Sequence, residues 1–297
     1  MGSSAKSRFY GLRWSGSAVL TWMLFAVCGC AQSPDKVAYT SPAGYDFTTP
    51  EVFEMDNNLR EISGIALIDG NPDTLFAQQD EAGRLFFFAL GDVDPKHAQF
   101  GKEGDYEDIE IRGGRTFVLR SDGTLMGFPV NGRHQGQISD VVTWKKPFPR
   151  GEYESLATRA DKNRLYVLCK DCDTDRKRPR TTGYGFTLDK NDKITDLRPF
   201  TIQTEQIERL VPLGGTAFQP SAMAWNPFSG QWYVISSVNM LLVVLDGNWE
   251  VKQAYPLNPA LYVQPEGIAF DRHRALYISS EGGKKGIAKV FKFRFNG

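Results

Sequence analysis

Short apolar runs alternate with turn residues along most of the chain, and this pattern predicts strands. The runs at residues 84–89 and 240–245 are rich in Leu, Val and Phe, which are common in strands. Turn dipeptides such as Asp122-Gly123 and Asp246-Gly247 separate such runs. No long segment after residue 30 has a helical period. The chain is therefore predicted to be all-β.

Five short motifs recur along the chain with one order of polar and apolar residues. The six successive positions of each motif are occupied, in order, by an acid or amide, any residue, Ser or Glu, a small residue or Asp, an aliphatic residue, and usually Ala. They begin at Glu61, Asp105, Glu152, Gln219 and Gln264, so successive starts lie 44, 47, 67 and 45 residues apart. A second strand-like run follows each motif. A strand–turn–strand unit at roughly this period is typical of a β-propeller.

Five motifs predict five blades, each a small antiparallel sheet. The 67-residue interval is too short for an additional blade, and we interpret it as an insertion around residues 170–200. A six-bladed ring, completed by an N-terminal strand near residues 46–55, is the alternative. In the five-bladed ring we expect an N-terminal strand to pair with the last blade near residues 289–293.

The first thirty residues have the features of a targeting segment. Lys6, Arg8 and Arg13 are followed by a largely apolar stretch at residues 15–29, which is shorter than a membrane span and suits a signal peptide. The sequence Val-Cys-Gly before Cys30 resembles a lipoprotein cleavage site. We predict a signal peptide at 1–29, lipidation of Cys30, a tether at 30–46 and a propeller at 47–297. An ordinary signal peptide or a retained anchor is the alternative.

These signals predict a bacterial cell-envelope protein that a lipid anchor attaches to a membrane. The residues after Cys30 are Ala31 and Gln32, and they lack the Asp that often retains lipoproteins at the inner membrane. The sequence therefore favours the outer membrane.

The charge balance argues against a nucleic-acid partner. Without residues 1–29, which contain three basic residues, the chain has 32 basic and 35 acidic residues. No basic excess remains to neutralise phosphates. The basic run at residues 176–180 lies close to Asp171, Asp173 and Asp175, and we interpret it as a solvated loop.

The five motifs together resemble the SdiA-regulated (YjiK-like) family. The matching segments are residues 59–66, 104–110, 153–157, 219–225 and 264–270, and the resemblance covers residues 47–295. It implies an exported β-propeller with a calcium site, related in fold to calcium-dependent β-propeller phytases and to gluconolactonase-like propellers. The family has no assigned reaction, so the resemblance leaves the activity open.

Equivalent motif positions should form rings around the propeller axis. The third position is occupied by Ser63, Glu107, Glu154, Ser221 and Glu266. Three glutamates around a narrow channel repel one another, and a hard cation would remove that repulsion. Oxygen ligands suit calcium. The predicted calcium ligands are Glu61, Asp105, Glu107, Glu154 and Glu266. The alternative is that these side chains accept hydrogen bonds from a neighbouring blade and bind nothing.

Cys169 and Cys172 form a Cys-x-x-Cys pair at the end of a predicted strand. A structural zinc site would need a second pair, and a thioredoxin-like motif would need a following helix. In an exported protein we expect a local disulfide. Two free thiols are the alternative.

Two functions are consistent with these features. The first is a binding or scaffold module with an unknown ligand at the propeller axis. The second is an enzyme, either a calcium-dependent phosphoesterase similar to phytases or a lactonase-like hydrolase. Candidate phosphate-binding cations are Arg120, Lys170, Lys284 and Lys285, but they form no recognisable motif, so the first function is favoured.

Overall fold

The computed structural model describes residues 39–284 and 286–297, and its strands form five antiparallel sheets of four strands each. Each sheet is one blade, and the innermost strands of neighbouring blades lie side by side around a common axis. This arrangement confirms the predicted all-β, five-bladed propeller.

Within each blade, the strands run in chain order from the innermost to the outermost. The exception is β1 (Glu51–Glu54), the first strand of the described residues, which belongs to blade 5. Blade 1 contains β2 (Ile62–Leu67), β3 (Leu75–Gln79), β4 (Arg84–Phe88) and β5 (Lys96–Gln99). Blade 2 contains β6 (Tyr106–Arg112), β7 (Arg115–Arg120), β8 (Leu125–Pro129) and β9 (Val142–Trp144). Blade 3 contains β10 (Gly151–Arg159), β11 (Arg164–Cys172), β12 (Arg180–Leu188) and β13 (Ile194–Gln203). Blade 4 contains β14 (Ala222–Asn226), β15 (Gln231–Ser236), β16 (Leu241–Leu245) and β17 (Val251–Pro256). Blade 5 contains β18 (Gln264–Phe270), β19 (Leu276–Glu281) and β20 (Lys289–Phe293), followed in space by β1.

Helical structure within the described residues is short. The single α-helix there is α1 (Thr204–Glu208). The 3₁₀ turns are Asn57–Leu59, Ile68–Gly70, Val130–Gln135, Ala160–Lys162 and Asp173–Asp175. None of the helices in this part of the chain is long and apolar enough to cross a membrane.

The hydrophobic core consists of layers between adjacent blades. Because a blade packs on both faces, strands such as β16 bury every residue, whereas the outer strand β13 has a run of four exposed residues. Between blades 1 and 2, for example, the rings of Phe100 and Phe128 stack with their centroids 5.0 Å apart. Burial of these layers stabilises the ring and fixes the positions of the inner strands.

The ring closes between the two ends of the chain. β1 pairs antiparallel with β20, and Val52 lies opposite Phe291. Tyr45 also packs in this region, where its hydroxyl donates a hydrogen bond of 2.8 Å to the Arg274 carbonyl oxygen. The pairing near residues 289–293 is therefore observed. The predicted signal peptide and Cys30 lie outside the described residues.

Blade 3 differs from the others in the length of its strands, which contain nine or ten residues. The expected insertion around residues 170–200 was wrong, because β12 and β13 occupy much of this segment. The longer motif interval comes instead from these long strands and from residues 204–221, which include α1 and lead to β14.

Candidate functional site at the propeller axis

All five motifs lie on or directly before the innermost strands, as the repeat predicts. Their polar positions come at the beginnings of these strands and lie at one end of the axis. We call this end the axial mouth and define it by a set of charged side chains: Glu61, Asp80, Asp105, Glu107, Glu152, Glu154, Lys170, Glu266 and Glu281.

The three central glutamates of the axial mouth each occupy a β-bulge. In blade 2, Glu107 lies between Tyr106 and Asp108, whose partners on β7 are consecutive residues, so Glu107 is the extra residue. Glu154 and Glu266 are the extra residues of equivalent bulges in blades 3 and 5. A bulge interrupts strand alternation and redirects a side chain. The repeat therefore presents three carboxyl groups from the same kind of backbone irregularity.

Burial and mutual repulsion favour the protonated forms of these glutamates. Burial, followed by the charges of Glu154, Asp105 and Glu266, raises the pKa of Glu107 to about 9. Burial also raises the pKa of Glu154 to about 8, although Lys170 acts in the opposite direction. Burial raises the pKa of Glu266 as well. The three glutamates that the repeat predicts to form a ring therefore interact electrostatically with one another.

Lys170 places a positive charge inside the axial mouth. Its Nζ donates a hydrogen bond to the buried carboxylate of Glu154 and lies 3.7 Å from Glu152 Oε1. Burial alone would lower the pKa of Lys170, but Glu154 and Glu152 outweigh burial and raise it. The sequence suggested Lys170 as a phosphate ligand, whereas the structure shows that it compensates the glutamate charge.

Two further acids at the mouth were missed in the sequence. Asp80 follows β3 and Glu281 ends β19. Burial, then the charge of Glu61, raises the pKa of Asp80 to about 6, and one of its carboxylate oxygens is buried without a hydrogen-bond partner. Burial, then the charge of Glu266, raises the pKa of Glu281 to about 8. Aligning the second strands of the repeat would have found both, because they share a column with Lys170.

Glu61 and Asp105 lie at the rim of the mouth. Glu61 forms an ion pair of 3.3 Å with Arg60, and Asp105 accepts a hydrogen bond from the Ser121 hydroxyl. Their charges reach the central acids, because Asp105 raises the pKa of Glu107 and Glu61 raises that of Glu281. They are outer members of the cluster.

Within the described residues, no group of three or more His, Cys, Asp or Glu side chains is arranged to hold a metal ion. The donor set is oxygen-only, as calcium requires, but Lys170 lies among the carboxylates. A calcium ion would therefore fit only if the glutamates moved closer together and the Lys170 ammonium moved away from Glu154.

A different pair of acids bonds to the backbone of a neighbouring blade. Asp108 Oδ2 accepts a hydrogen bond of 2.6 Å from the Leu156 N–H, and Glu110 Oε2 accepts one of 2.8 Å from the Thr158 N–H. Both contacts join blade 2 to blade 3. The side chains that accept hydrogen bonds from the neighbouring backbone are therefore Asp108 and Glu110, the fourth and sixth residues of the second motif. The third residue, Glu107, faces the mouth.

A disulfide holds the strand end that carries Lys170. Cys169 and Cys172 are bonded, with their Cα atoms 5.8 Å apart, and both are buried. Gly151 faces them so closely that a Cβ atom there would lie 2.6 Å from Cys169 Sγ. The disulfide and this close contact fix the end of β11 against β10, beside the bulge that contains Glu154.

The other candidate cations are not bonded to a glutamate of the ring among the contacts that the structure describes. The Arg120 guanidinium lies over the ring of Tyr106, 5.9 Å from its centroid, and Lys284 is exposed. Lys285 lies outside the described residues. Of the candidates that the structure describes, Lys170 is thus the one at the glutamate ring.

No family model matches the chain, and no curated protein matches it. Several solved structures are similar. Glutaminyl cyclase from Myxococcus xanthus is 12% identical with a TM-score of 0.55, over 83% of this chain and 94% of that chain. A luciferin-regenerating enzyme is 11% identical with a TM-score of 0.49, over 83% and 95%. Virginiamycin B lyase from Staphylococcus aureus is 11% identical with a TM-score of 0.43, over 83% and 74%. At these identities, the first similarity supports the β-propeller fold and nothing further.

Proposed function

We propose that this protein is a lipid-anchored, exported propeller of the SdiA-regulated (YjiK-like) family, and that it acts as a binding module with calcium at its axial mouth. The observation that supports the calcium site is the convergence of Glu107, Glu154 and Glu266 on one mouth, where Lys170 supplies a single positive charge.

The chemistry of the mouth favours a hard cation. Each glutamate must either keep a proton or have a nearby positive charge, because an unpaired buried carboxylate is costly. Lys170 is paired with Glu154 and leaves Glu107 and Glu266 close to other acids. Calcium would be held by the three glutamates, with Glu61 and Asp105 at the rim, and it would replace the protons as the compensating charge.

Thermal melting with calcium and with chelator tests the calcium site. A ligand that binds the folded state stabilises it by about 2.7 kcal/mol at a hundredfold excess over its Kd. We expect calcium to raise the melting temperature of the wild type and to have a smaller effect on Glu107→Gln. The exposed Glu208 on α1 provides the control Glu208→Gln, which should respond like the wild type. A wild type that melts identically in calcium and in chelator would contradict the proposal.

The anchor is tested separately, by mass spectrometry of protein extracted from membranes. We expect an N-terminal, lipid-modified Cys30. The variant Cys30→Ala should leave the membrane fraction. An unmodified Cys30 or an intact N-terminus in the membrane-extracted protein would contradict the lipid anchor and leave the calcium proposal standing.

Hydrolysis is the second candidate function, and one observation favours it. Glu107, whose pKa is about 9, keeps a proton at neutral pH close to the Glu154–Lys170 pair. A protonated carboxyl group beside a basic group can serve as a general acid.

Release of phosphate from phytate and from an aryl phosphate, and ring opening of a lactone, should be measured with calcium and with chelator. Activity that is lost in Glu107→Gln and retained in Glu208→Gln would establish this second function. Absence of turnover in all of these assays would leave the binding module.

A further inference from the structure

A cavity of about 500 Å³ lies beside the axial mouth, between the loop that joins β11 to β12 and the residues that precede β14. Five of its lining residues are cationic and two are acidic. We call this cavity the basic pocket, after its cationic residues Lys170, Arg176, Lys177, Arg178 and Arg180. Asp171 and Asp175 are the two acids.

The loop that carries these cations is held in one conformation. Asp175 accepts hydrogen bonds from the Thr182 N–H at 2.6 Å, the Thr182 hydroxyl at 2.6 Å and Arg180 Nε at 2.9 Å. The Arg178 N–H donates to the Asp175 carbonyl oxygen, and the bonded Cys172 holds the start of the loop. A loop that is ordered before binding loses less conformational entropy when a ligand arrives.

Part of the positive charge of the pocket is not compensated by the protein. Arg180 pairs with Asp175, and Arg176 pairs with Asp173, each at 2.9 Å. Lys177 and Arg178 are exposed, and in the part of the chain that the structure describes no carboxylate lies within ion-pair distance of either. Neighbouring cations in a concave site attract anions.

The basic pocket is continuous with the axial mouth. Lys170 lines the pocket and also binds Glu154, and Gln219, another lining residue, is the first residue of the fourth motif. A ligand in the pocket could therefore extend from the basic loop to the glutamate ring. The sequence pattern did not indicate this, because the basic run directly follows three aspartates and resembles an ordinary solvated loop.

We propose that the basic pocket binds the phosphate group of a small soluble ligand. The Arg178 guanidinium can donate two parallel hydrogen bonds to phosphate oxygens, and Lys177 adds a point charge. The two residues that would hold the phosphate, Lys177 and Arg178, lie outside the calcium site proposed above, and phosphate binding does not require calcium.

Isothermal titration calorimetry with inorganic phosphate and with pyrophosphate tests the proposal, on the full chain in calcium and in chelator. We expect the double variant Lys177→Ala/Arg178→Ala to bind about tenfold or more weakly, the loss expected for at least one charge-assisted contact. The matched control is Lys190→Ala/Lys193→Ala. It removes two exposed lysines at the β12–β13 turn, at the opposite end of the same blade, and should bind like the wild type.

Absence of binding by the wild type at millimolar phosphate, or equal weakening in both double variants, would overturn the proposal. Vesicles of phosphatidylglycerol, compared with phosphatidylcholine, separate a soluble ligand from a lipid headgroup, and binding to anionic vesicles alone would also overturn it. Equal melting temperatures of the two double variants show that folding is intact. Phosphate binding without any calcium response would support the basic pocket and contradict the calcium site. A calcium response without phosphate binding would support the calcium site and contradict the basic pocket.

Discussion

At the residue scale, Glu107 links stability to pH. Its pKa of about 9 in the folded protein exceeds the ordinary glutamate value of 4.5, chiefly because of burial. Between these values the folded state holds a proton that the unfolded chain has released. Stability from this group is therefore fully present below the unfolded pKa and is lost as pH rises toward 9.

We expect the stability of Glu107→Gln relative to the wild type to increase from pH 5 to pH 9 in chelator, because glutamine cannot ionise. Denaturant unfolding at pH 5, 7 and 9 measures the difference, with Glu208→Gln as the control. A difference that stays constant over this range would show that Glu107 titrates as an ordinary glutamate.

Calcium and protons should compete for the same carboxylates. Since Glu107 holds a proton near neutral pH, calcium binding must release it, and the affinity should rise from pH 6 to pH 9. Titration calorimetry in buffers of different ionisation enthalpy would measure the number of released protons. An affinity that does not change with pH would exclude Glu107 as a ligand.

The sequence predicted the glutamate column but not its partners. Glu107, Glu154 and Glu266 follow from the repeat alone, since they occupy one motif position. Lys170 and Glu281 lie on second strands, and their place beside the glutamates depends on the pairing register and on the bulges. A bulge has no signature in the alternation of apolar residues, so that pattern alone does not reveal these neighbours, and only an alignment of the second strands places them in one column.

At the scale of elements, the Cys169–Cys172 bond supports the end of β11. Replacement of both cysteines by alanine should destabilise the protein by about 2 kcal/mol or less from lost chain entropy, because the closed loop is very short. Denaturant unfolding of the double variant, and of the wild type unfolded with and without reductant, measures this. Because both sulfurs are buried, the wild type should resist reductant while folded. Rapid loss of the disulfide from the folded protein would contradict this arrangement.

The outer strands show where pattern analysis fails. β13 exposes four consecutive residues and has no continuous apolar run, so its sequence resembles a loop and residues 170–200 were interpreted as an insertion. The inner and second strands are buried on both faces, and their apolar runs were recognised. Apolar runs arise where a strand is buried, and an outer strand is buried too little to need one.

At the scale of the whole molecule, five rather than six blades follow from the arrangement of blade 5. In the described part of the chain, three strands follow the fourth blade, and β1 supplies the missing outer strand. The motif count gave the correct number because each motif begins one inner strand. β1 has no such motif, so it does not begin a sixth blade. It forms the outer strand of blade 5 instead.

Deletion of residues 287–297 should destabilise the entire propeller. It removes β20, which lies between β19 and β1, so β1 loses its pairing partner and blade 5 loses half of its sheet. We expect a large decrease in the temperature of cooperative melting, measured by circular dichroism. A truncated protein that melts at the wild-type temperature would show that closure contributes little.

The pairing of β1 with β20 also constrains the order of folding. β1 ends at Glu54, and its partner begins at Lys289, so β1 cannot pair until residues 289–293 have been made. Contacts between residues so distant in sequence form slowly. During synthesis the protein therefore cannot complete blade 5 until β20 is available. Throughout that time β1 remains an unpaired edge that could associate with other chains.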